Sequence, residues 1–257
     1  MDEKSNNISK DGVLIVTLSS WHEFYKEVSN LKSKRGYVWR GQKKDEDNGW
    51  VLNSKFDRDV KSKAERGRVQ KLECHLNNFK EAMNRYYPGV LPKYDVDIWA
   101  LGQHYGLKTP LLDWTLSPDI AAYFAFIECE DTSDPNDSYR YVYALNRSVE
   151  RLLSKQKKAD VILSKERSVL FIDKLSHPSP RFTVQKGIFS KAFHGKGIGK
   201  YVQIFSDKRP DQIFIVKFRI PTKDRVECLR ELRSKNIDHV NLLLDLRNVV
   251  DPCNNKL

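Results

Sequence analysis

The spacing of apolar residues predicts amphipathic helices in the first half of the chain. Apolar side chains in residues 21–31 recur every three or four positions, which places them on one helical face. The same period predicts a long helix over residues 62–87 and a shorter one over residues 97–105. Another helix is predicted to begin after Ser117, because serine is a favoured helix cap and Pro118 is well tolerated at a helix start.

Runs of β-branched and aromatic residues predict strands, mostly in the second half. The predicted strands are residues 13–18, 37–40, 141–145, 182–189, 201–205 and 213–220. A further helix is predicted over residues 223–235, on Val226, Leu229 and Leu232. The pattern predicts an α+β fold, with a helix-rich N-terminal half packed on a mainly antiparallel, strand-rich C-terminal half.

The domain organisation follows from length and polarity. Residues 1–12 are mostly polar and are predicted to be disordered or frayed. The remaining residues 13–257 are predicted to form a single domain, since a chain of this length buries a sizeable core without disulfides or metals.

The net charge of the chain is strongly positive. Its 45 Lys and Arg residues against 34 Asp and Glu give +11 at pH 7, a balance that favours a polyanionic partner such as nucleic acid, a phosphorylated cofactor or an acidic protein. The basic residues are spread along the chain, and no nucleic-acid-binding signature is present. A solvated basic surface is the simpler interpretation, and the charge leaves nucleic acid open as a partner.

Other features bear on location and metals. No stretch is apolar enough to span a bilayer, and the N-terminus does not read as a signal peptide. The four cysteines never form a CxxC pair, and the histidines show no ligand spacing. We therefore expect a cytoplasmic protein with reduced thiols, no membrane partner and no metal site.

Trp39-Arg40-Gly41-Gln42 is the first segment that suggests chemistry. An arginine at a strand end suits anion binding, because guanidinium offers a planar fork of donors. Gly41 would let a ligand approach the backbone. The structural alternative is that Arg40 pairs with a carboxylate such as Asp113 and locks two strands together.

Residues 103–115 form the second such segment. Polar side chains alternate there with leucines and a tryptophan, and a capped helix follows at once. Polar groups in such a setting need partners, so the segment is either a buried network or a site. Its candidate site residues are Gln103, His104, Tyr105, Asp113, Trp114 and Thr115.

These segments resemble the FRG-domain family, which is named for an aromatic-Arg-Gly motif. Trp39-Arg40-Gly41-Gln42 matches that motif, and residues 103–115 with the following helix match the central signature of the family. Residues 181–189 are similar to its later Gln-x-Gly-x-Phe element. The chain departs from the family at Pro110, where an arginine is common.

A weaker resemblance links the chain to the ADP-ribosyltransferases, and it implies an ADP-ribosyltransferase-like core that binds NAD. Arg40-Gly41 is similar to the first motif of that superfamily, and Thr115 with residues 121–125 is similar to the second. The resemblance implies that Arg40 holds the phosphate and ribose side of NAD and that Thr115 orients Arg40 or the nicotinamide ribose. At the third position Gln185 replaces a glutamate, and an amide cannot act as a base or counter positive charge.

The function expected from these residues is that of an NAD-dependent ADP-ribosyltransferase-like protein or an NAD glycohydrolase, acting as an effector or in defence. Its candidate catalytic residues are Arg40, Thr115, Gln185 and His104, and its candidate cofactor-binding residues are Arg40, Gly41, Gln42, Gln103, Tyr105, Asp113, Trp114 and Thr115. Tyr105 and Trp114 would stack on nicotinamide. The nearest carboxylates that could replace the missing glutamate are Glu128 and Glu166.

Two other functions remain open. The chain could be a non-catalytic module that binds nucleic acid or protein, which the net charge and the missing glutamate favour. It could also be a hydrolase in which His104 and Asp113 form an acid–base pair.

Overall fold

A computed structural model describes residues 7–32, 36–45, 52–60, 65–128, 138–149, 169–192 and 197–243 of the chain. Eight strands in these segments form one sheet. The strands are β1 (Asn7–Lys10), β2 (Val13–Thr17), β3 (Tyr37–Gln42), β4 (Leu111–Thr115), β5 (Tyr139–Asn146), β6 (Val169–Ile172), β7 (Gly187–Ala192) and β8 (Ile215–Pro221). Their order in the sheet is β1-β2-β8-β5-β3-β4-β7-β6.

Helices connect these strands and cover the sheet. They are α1 (Trp21–Lys32), α2 (Lys55–Asp59), α3 (Glu65–Tyr86), α4 (Asp95–His104), α5 (Pro118–Phe126), α6 (Pro180–Val184), α7 (Ile198–Lys208), α8 (Arg225–Ser234) and α9 (His239–Leu242). A short 3₁₀ helix, Thr222–Asp224, precedes α8. Among the described residues, no helix combines the length and apolarity that crossing a membrane requires.

The α+β class and the mainly antiparallel pairing are confirmed, because β2 and β8 form the single parallel pair within the described sheet. The predicted separation into a helical half and a strand half is wrong. Four of the strands come from the first 115 residues, and β3 lies between β5 and β4 in the sheet. Both halves of the chain therefore build one sheet.

Three local predictions need correction. Residues 201–205 lie in α7 and not in a strand, because Ile198, Val202 and Phe205 form a buried helical face. Residues 182–189 divide into the end of α6 and the start of β7. The frayed N-terminus was predicted too long, since Asn7–Lys10 pairs with β2. Residues 1–6 lie outside the described residues.

The sheet is nearly divided between β3 and β4. Trp39 and Thr115 are the one residue pair that joins these two strands in the described sheet. Beyond that pair, β3 continues along β5 and β4 continues along β7. The sheet thus consists of a five-stranded part ending at β3 and a three-stranded part beginning at β4, which separate beyond the shared pair.

Three hydrophobic clusters hold the layers together. The first packs α1, α5 and α8 on one face of the five-stranded part, with Trp21, Phe24 and Phe126 at its centre. The second packs α7 on residues of the opposite face, around Tyr143 and Phe214. The third joins α3 and α4 to β4, β6 and β7. The helices α4 and α5 therefore belong to different clusters, on either side of the place where the strands separate.

The cap of α5 is a testable contribution to stability. Ser117 accepts a hydrogen bond from the backbone N–H of Ile120 through its side-chain oxygen, and Pro118 occupies the first helical position. We expect Ser117→Ala to lower the free energy of unfolding by about 1 kcal/mol, because one helix-start N–H loses its acceptor. Urea denaturation would measure the change. Ser117→Thr retains a hydroxyl and should lose less, so equal stability of all three proteins would contradict the assignment.

Candidate functional site

A cleft of about 400 Å³ lies where β3 and β4 separate. Its lining comes from the end of β3, the C-terminal turn of α4, β4, α5 and residues 179–189. The candidate residues that line it are Arg40, Gly41, Gln103, His104, Asp113, Trp114, Thr115 and Gln185. Segments that lie up to 145 positions apart in sequence therefore meet around one cavity.

Arg40 is partly buried in the cleft, and its charge is incompletely paired. Its Nη1 donates a hydrogen bond of 2.7 Å to the backbone oxygen of Asp113, across the gap between the two strands. Its Nε is buried and has no hydrogen-bond partner among the described residues. Burial lowers the pKa of the Arg40 guanidinium and Arg58 acts in the same direction, whereas the negative charge of Asp113 opposes them. An arginine stays protonated in proteins, so the site holds a partly buried cation.

The sequence left open a purely structural role for Arg40, in which it pairs with the carboxylate of Asp113 and locks two strands together. The structure agrees with that role only in part. Arg40 does link β3 to β4, but through the backbone of Asp113 and not through its carboxylate. The carboxylate Oδ1 of Asp113 accepts a 2.7 Å hydrogen bond from Nε2 of Gln103. The side-chain oxygen Oε1 of Gln103 accepts a hydrogen bond from the hydroxyl of buried Thr109, so both polar atoms of the Gln103 side-chain amide have partners. This chain of bonds fixes a carboxylate in the lining of the cleft.

Thr115 and Gln185 lie together at the closed end of the gap. The Thr115 hydroxyl donates to the backbone oxygen of Gln185 at 2.7 Å and accepts from the N–H of Ser117 at 3.1 Å. The side-chain amide of Gln185 donates to the backbone oxygen of Leu242 at 2.8 Å. Thr115 thus fastens the end of β4 to the turn before β7 and to the start of α5.

Gly41 lines the cleft, but the structure gives a different reason for the glycine than ligand access. A Cβ atom at this position would lie 1.8 Å from the backbone oxygen of Ala121 and 2.6 Å from the backbone nitrogen of Ala125. The backbone of α5 therefore packs directly on β3 at Gly41. The prediction that this glycine serves close approach of a ligand is corrected to close approach of a helix.

Gln42 lies outside the cleft lining, contrary to its predicted role as a ligand-binding residue. Its side chain is buried, and both amide atoms have no hydrogen-bond partner among the described residues. Successive side chains of a strand point to opposite faces, so residues two positions apart share a face. Gln42 therefore lies on the same face of β3 as Arg40.

The aromatic walls differ from those predicted. Tyr105 is 80% exposed and lies outside the cleft lining, so the structure gives no support to its predicted stacking role. Trp114 contributes to the lining, but its ring is buried and its indole N–H donates to the hydroxyl of Ser190. The rings that line the cleft and were not predicted are Phe124, Phe182 and Phe189. Phe182 and Phe189 contact each other at 5.0 Å between ring centroids.

His104 is an exposed residue at the mouth of the cleft. Its ring contacts Tyr105 edge-to-face, with 5.0 Å between the centroids. The carboxylate of Asp113 is bonded to Gln103 and not to His104. The structure therefore contains no His104–Asp113 hydrogen bond among its described contacts, and the hydrolase alternative loses the pairing that it requires.

Two charged residues in the lining were not assigned to the site from the sequence pattern alone. Glu128, named earlier as a possible replacement carboxylate, lies in the cleft wall just after α5. Arg181, on α6, also lines the site and supplies a second cation. Arg181 belongs to the segment that resembles the Gln-x-Gly-x-Phe element, so that resemblance was the available signal. Glu166 lies outside the described residues.

The metal-ligating side chains give no cluster. Within the described segments, no group of three or more His, Cys, Asp or Glu residues is arranged to hold a metal ion.

Comparison with known proteins identifies a domain family for the segment that supplies most of the cleft lining. Residues 35–134 match the family model of the FRG domain. The chain therefore contains an FRG domain, as the sequence motifs predicted, and this range includes β3, β4, α4 and α5 on both sides of the cleft. Searches of curated proteins and of solved structures returned no match.

Proposed function

We propose that the cleft binds NAD and that the protein transfers ADP-ribose to an acceptor or hydrolyses the dinucleotide. The single observation that carries this proposal is the state of Arg40. Its cation lines the cleft, and among the described residues a single backbone oxygen, that of Asp113, accepts a hydrogen bond from it. A desolvated charge is costly unless it is paired and hydrogen-bonded, and the phosphates of a dinucleotide would supply both.

The composition of the lining supports a dinucleotide over a simple anion. Arg40 and Arg181 supply positive charge for phosphates, and Phe124, Phe182 and Phe189 supply apolar surface for a planar ring. The volume of about 400 Å³ lies within the range of small-molecule sites. An inorganic anion would use only the cations and leave the aromatic surface without a function.

The order of elements supports an ADP-ribosyltransferase-like core. An Arg-Gly strand, β3, pairs beside a second strand, β4, that ends in Thr115 and leads into the capped helix α5. The Gln185 turn then begins β7, which pairs with β4. This is the arrangement that the resemblance of Arg40, Thr115 and Gln185 to the three motifs implies.

Transfer from NAD needs negative charge near the ribose, because the transition state resembles an oxocarbenium ion. Gln185 cannot supply that charge, and its side-chain amide is used by Leu242. Asp113 and Glu128 both line the cleft. Asp113 is held in place by Gln103, so we propose that its carboxylate faces the reacting ribose.

The proposal is tested by incubating the full chain with NAD. Nicotinamide release and protein-linked ADP-ribose would be followed together, and NAD binding would be measured by calorimetry on the same preparation. Release with labelled acceptor supports transfer, and release alone supports hydrolysis. Absence of both binding and release would overturn the proposal.

A pair of isosteric variants identifies the carboxylate. We expect Asp113→Asn to reduce nicotinamide release at least about tenfold while NAD binding is retained, since the variant removes a charge that matters most in the transition state. Glu128→Gln is the matched control and should keep most of the activity. The opposite ranking of the two variants would assign the role to Glu128.

Gln185 favours a second function, in which the cleft binds its ligand without turnover. An amide at the third position, bonded to the protein backbone, suits a non-catalytic module that recognises a nucleotide or a partner protein. NAD binding without any nicotinamide release, lost in an Arg40 variant, would support this second function. The proposed role as a cytoplasmic effector or defence protein depends on the first function, in which the protein turns over NAD.

A further inference from the structure

The connection between α3 and α4 carries an exposed aromatic and basic surface. It consists of Arg85, Tyr86, Tyr87, Lys93 and Tyr94, and we name these residues the tyrosine surface. The three tyrosines are 67%, 62% and 53% exposed. None of the five residues lines the cleft. The ion pair between Lys80 and Asp95 holds the start of α4 beside the last turns of α3, which brings Tyr94 to the same end of the helix pair as Tyr86 and Tyr87. Isolated exposed rings are ordinary, but several at one place indicate an interaction site.

Both cations of this surface lie against its rings. The guanidinium of Arg85 is 5.5 Å from the ring centroid of Tyr86, and Nζ of Lys93 is 5.5 Å from the ring centroid of Tyr94. Each pair thus presents an aromatic face beside a positive charge. Bases stack on aromatic rings and phosphates bind to cations, so this pairing matches the two parts of a nucleotide.

The acidic residues nearby do not cancel this charge. No Asp or Glu occurs from residue 84 to residue 94. Asp95 pairs with Lys80 at 2.6 Å, and buried Asp97 accepts a hydrogen bond from the backbone of Ser176. Glu81, one turn before Arg85, is outnumbered by the two cations of the surface. The surface therefore adds to the overall charge of +11.

The backbone holds the tyrosines in place. The N–H of Tyr87 donates to Met83 at 2.7 Å, which anchors one side of the connection to α3. At the other side the backbone oxygen of Tyr94 accepts from Asp97 and Ile98 at the start of α4. The backbone that carries Tyr87 and Tyr94 is thus already ordered, and ligand binding would have to order mainly the side chains.

We propose that the tyrosine surface binds single-stranded nucleic acid, with bases stacked on Tyr86, Tyr87 and Tyr94 and phosphates on Arg85 and Lys93. Stacking on a side chain requires bases that are not already stacked within a duplex, which selects single strands. The position of Tyr94 at the start of α4 and of His104 at its end places this surface about 15 Å from the mouth of the cleft. Binding here does not depend on NAD.

Fluorescence anisotropy with labelled oligothymidylate and oligouridylate, each about 12 nucleotides long, tests the proposal on the full chain. We expect both strands to bind at low salt, and we expect Tyr86→Ala, Tyr87→Ala and Tyr94→Ala together to weaken binding at least about tenfold. The matched single variants are Tyr94→Ala, which should weaken binding, and Tyr105→Ala at the other end of α4, which should not. The difference between the two oligonucleotides shows whether RNA or DNA is preferred.

The charge contribution is tested with equal losses of charge at two places. Arg85→Gln with Lys93→Gln should flatten the dependence of log K on log salt by about 0.7 for each lost phosphate contact. Lys208→Gln with Lys223→Gln removes the same charge from exposed positions elsewhere and should not change that slope. The proposal is overturned by equal binding of the triple tyrosine variant and the parent, by equal effects of both charge pairs, or by no oligonucleotide binding. Self-association that the tyrosine variants abolish, without nucleic-acid binding, would make the surface a protein interface.

Discussion

Replacing Arg40 with alanine is expected to raise the Kd for NAD by about 100-fold or more. The guanidinium is a partly buried cation in the cleft lining, and among the described residues only its Nη1 has a hydrogen-bond acceptor, so ligand phosphates would make charge-assisted hydrogen bonds to its accessible N–H groups. Such bonds contribute about 1.5–3 kcal/mol each, and two of them account for the expected loss. Calorimetric titration of NAD into parent and variant would measure it.

The stability of the same variant separates binding from structure. The one described hydrogen bond of the Arg40 side chain goes to the backbone of Asp113, so its loss should move the melting temperature by only a few degrees. Arg40→Lys is the matched control, because it keeps the charge and loses the planar fork, and we expect an intermediate Kd. A collapse of the melting temperature with unchanged NAD binding would assign Arg40 to the structure alone.

Replacing Gly41 with alanine is expected to lower the free energy of unfolding by at least about 3 kcal/mol, at the upper end of overpacking effects. The added Cβ would overlap the backbone oxygen of Ala121 at 1.8 Å. Backbone atoms of a helix cannot move singly, so α5 as a whole would have to shift away from β3. Urea denaturation would give the change in stability.

Gly199 provides a matched control for this substitution. It lies in α7 with no heavy atom within 4 Å of an added Cβ. Gly199→Ala should therefore raise stability by about 0.5–1 kcal/mol, through the better helix propensity of alanine. If the Gly41→Ala and Gly199→Ala proteins were equally stable, the distance between α5 and β3 at Gly41 would have to be larger than in the structure.

The long, strongly periodic elements were predictable from the sequence. The helices α1, α3, α4, α5 and α8 and the strands β2, β3, β5 and β8 lie where the apolar spacing placed them. Helix α7 was predicted as a strand because Tyr201-Val202-Gln203-Ile204-Phe205 is rich in β-forming residues over only five positions. Its helical period becomes visible only when Ile198 is included, and the burial that selects it comes from tertiary packing.

Strand β4 was missed for a related reason. Leu111-Leu112-Asp113-Trp114-Thr115 was interpreted as a site segment, and its polar residues obscured the alternation of a strand. In the structure every residue of β4 except Asp113 is buried, so the strand shows no simple alternation of buried and exposed positions. The carboxylate that we propose to face the ribose therefore lies in the middle of this strand.

The sequence predicted which residues come together at the cleft better than it predicted what each of them contacts. The motifs identified Arg40, Asp113, Thr115 and Gln185, and the fold brings all four to one cleft. The roles depend on contacts between distant segments, which no local pattern contains. The packing of α5 on Gly41 is one example, and the aromatic lining by Phe182 and Phe189 is another.

In the described sheet Trp39–Thr115 is the one residue pair between β3 and β4, so any rotation of the two parts of the sheet relative to each other would be centred there. Rotation of the three-stranded part about this point would alter the width of the gap while every other strand pairing stays intact. The same rotation would stretch the bond from Arg40 to Asp113, because that bond spans the gap. The guanidinium would then exchange a carbonyl of the protein for an oxygen of the incoming molecule, so entry of a bulky ligand and release of the arginine would be one event.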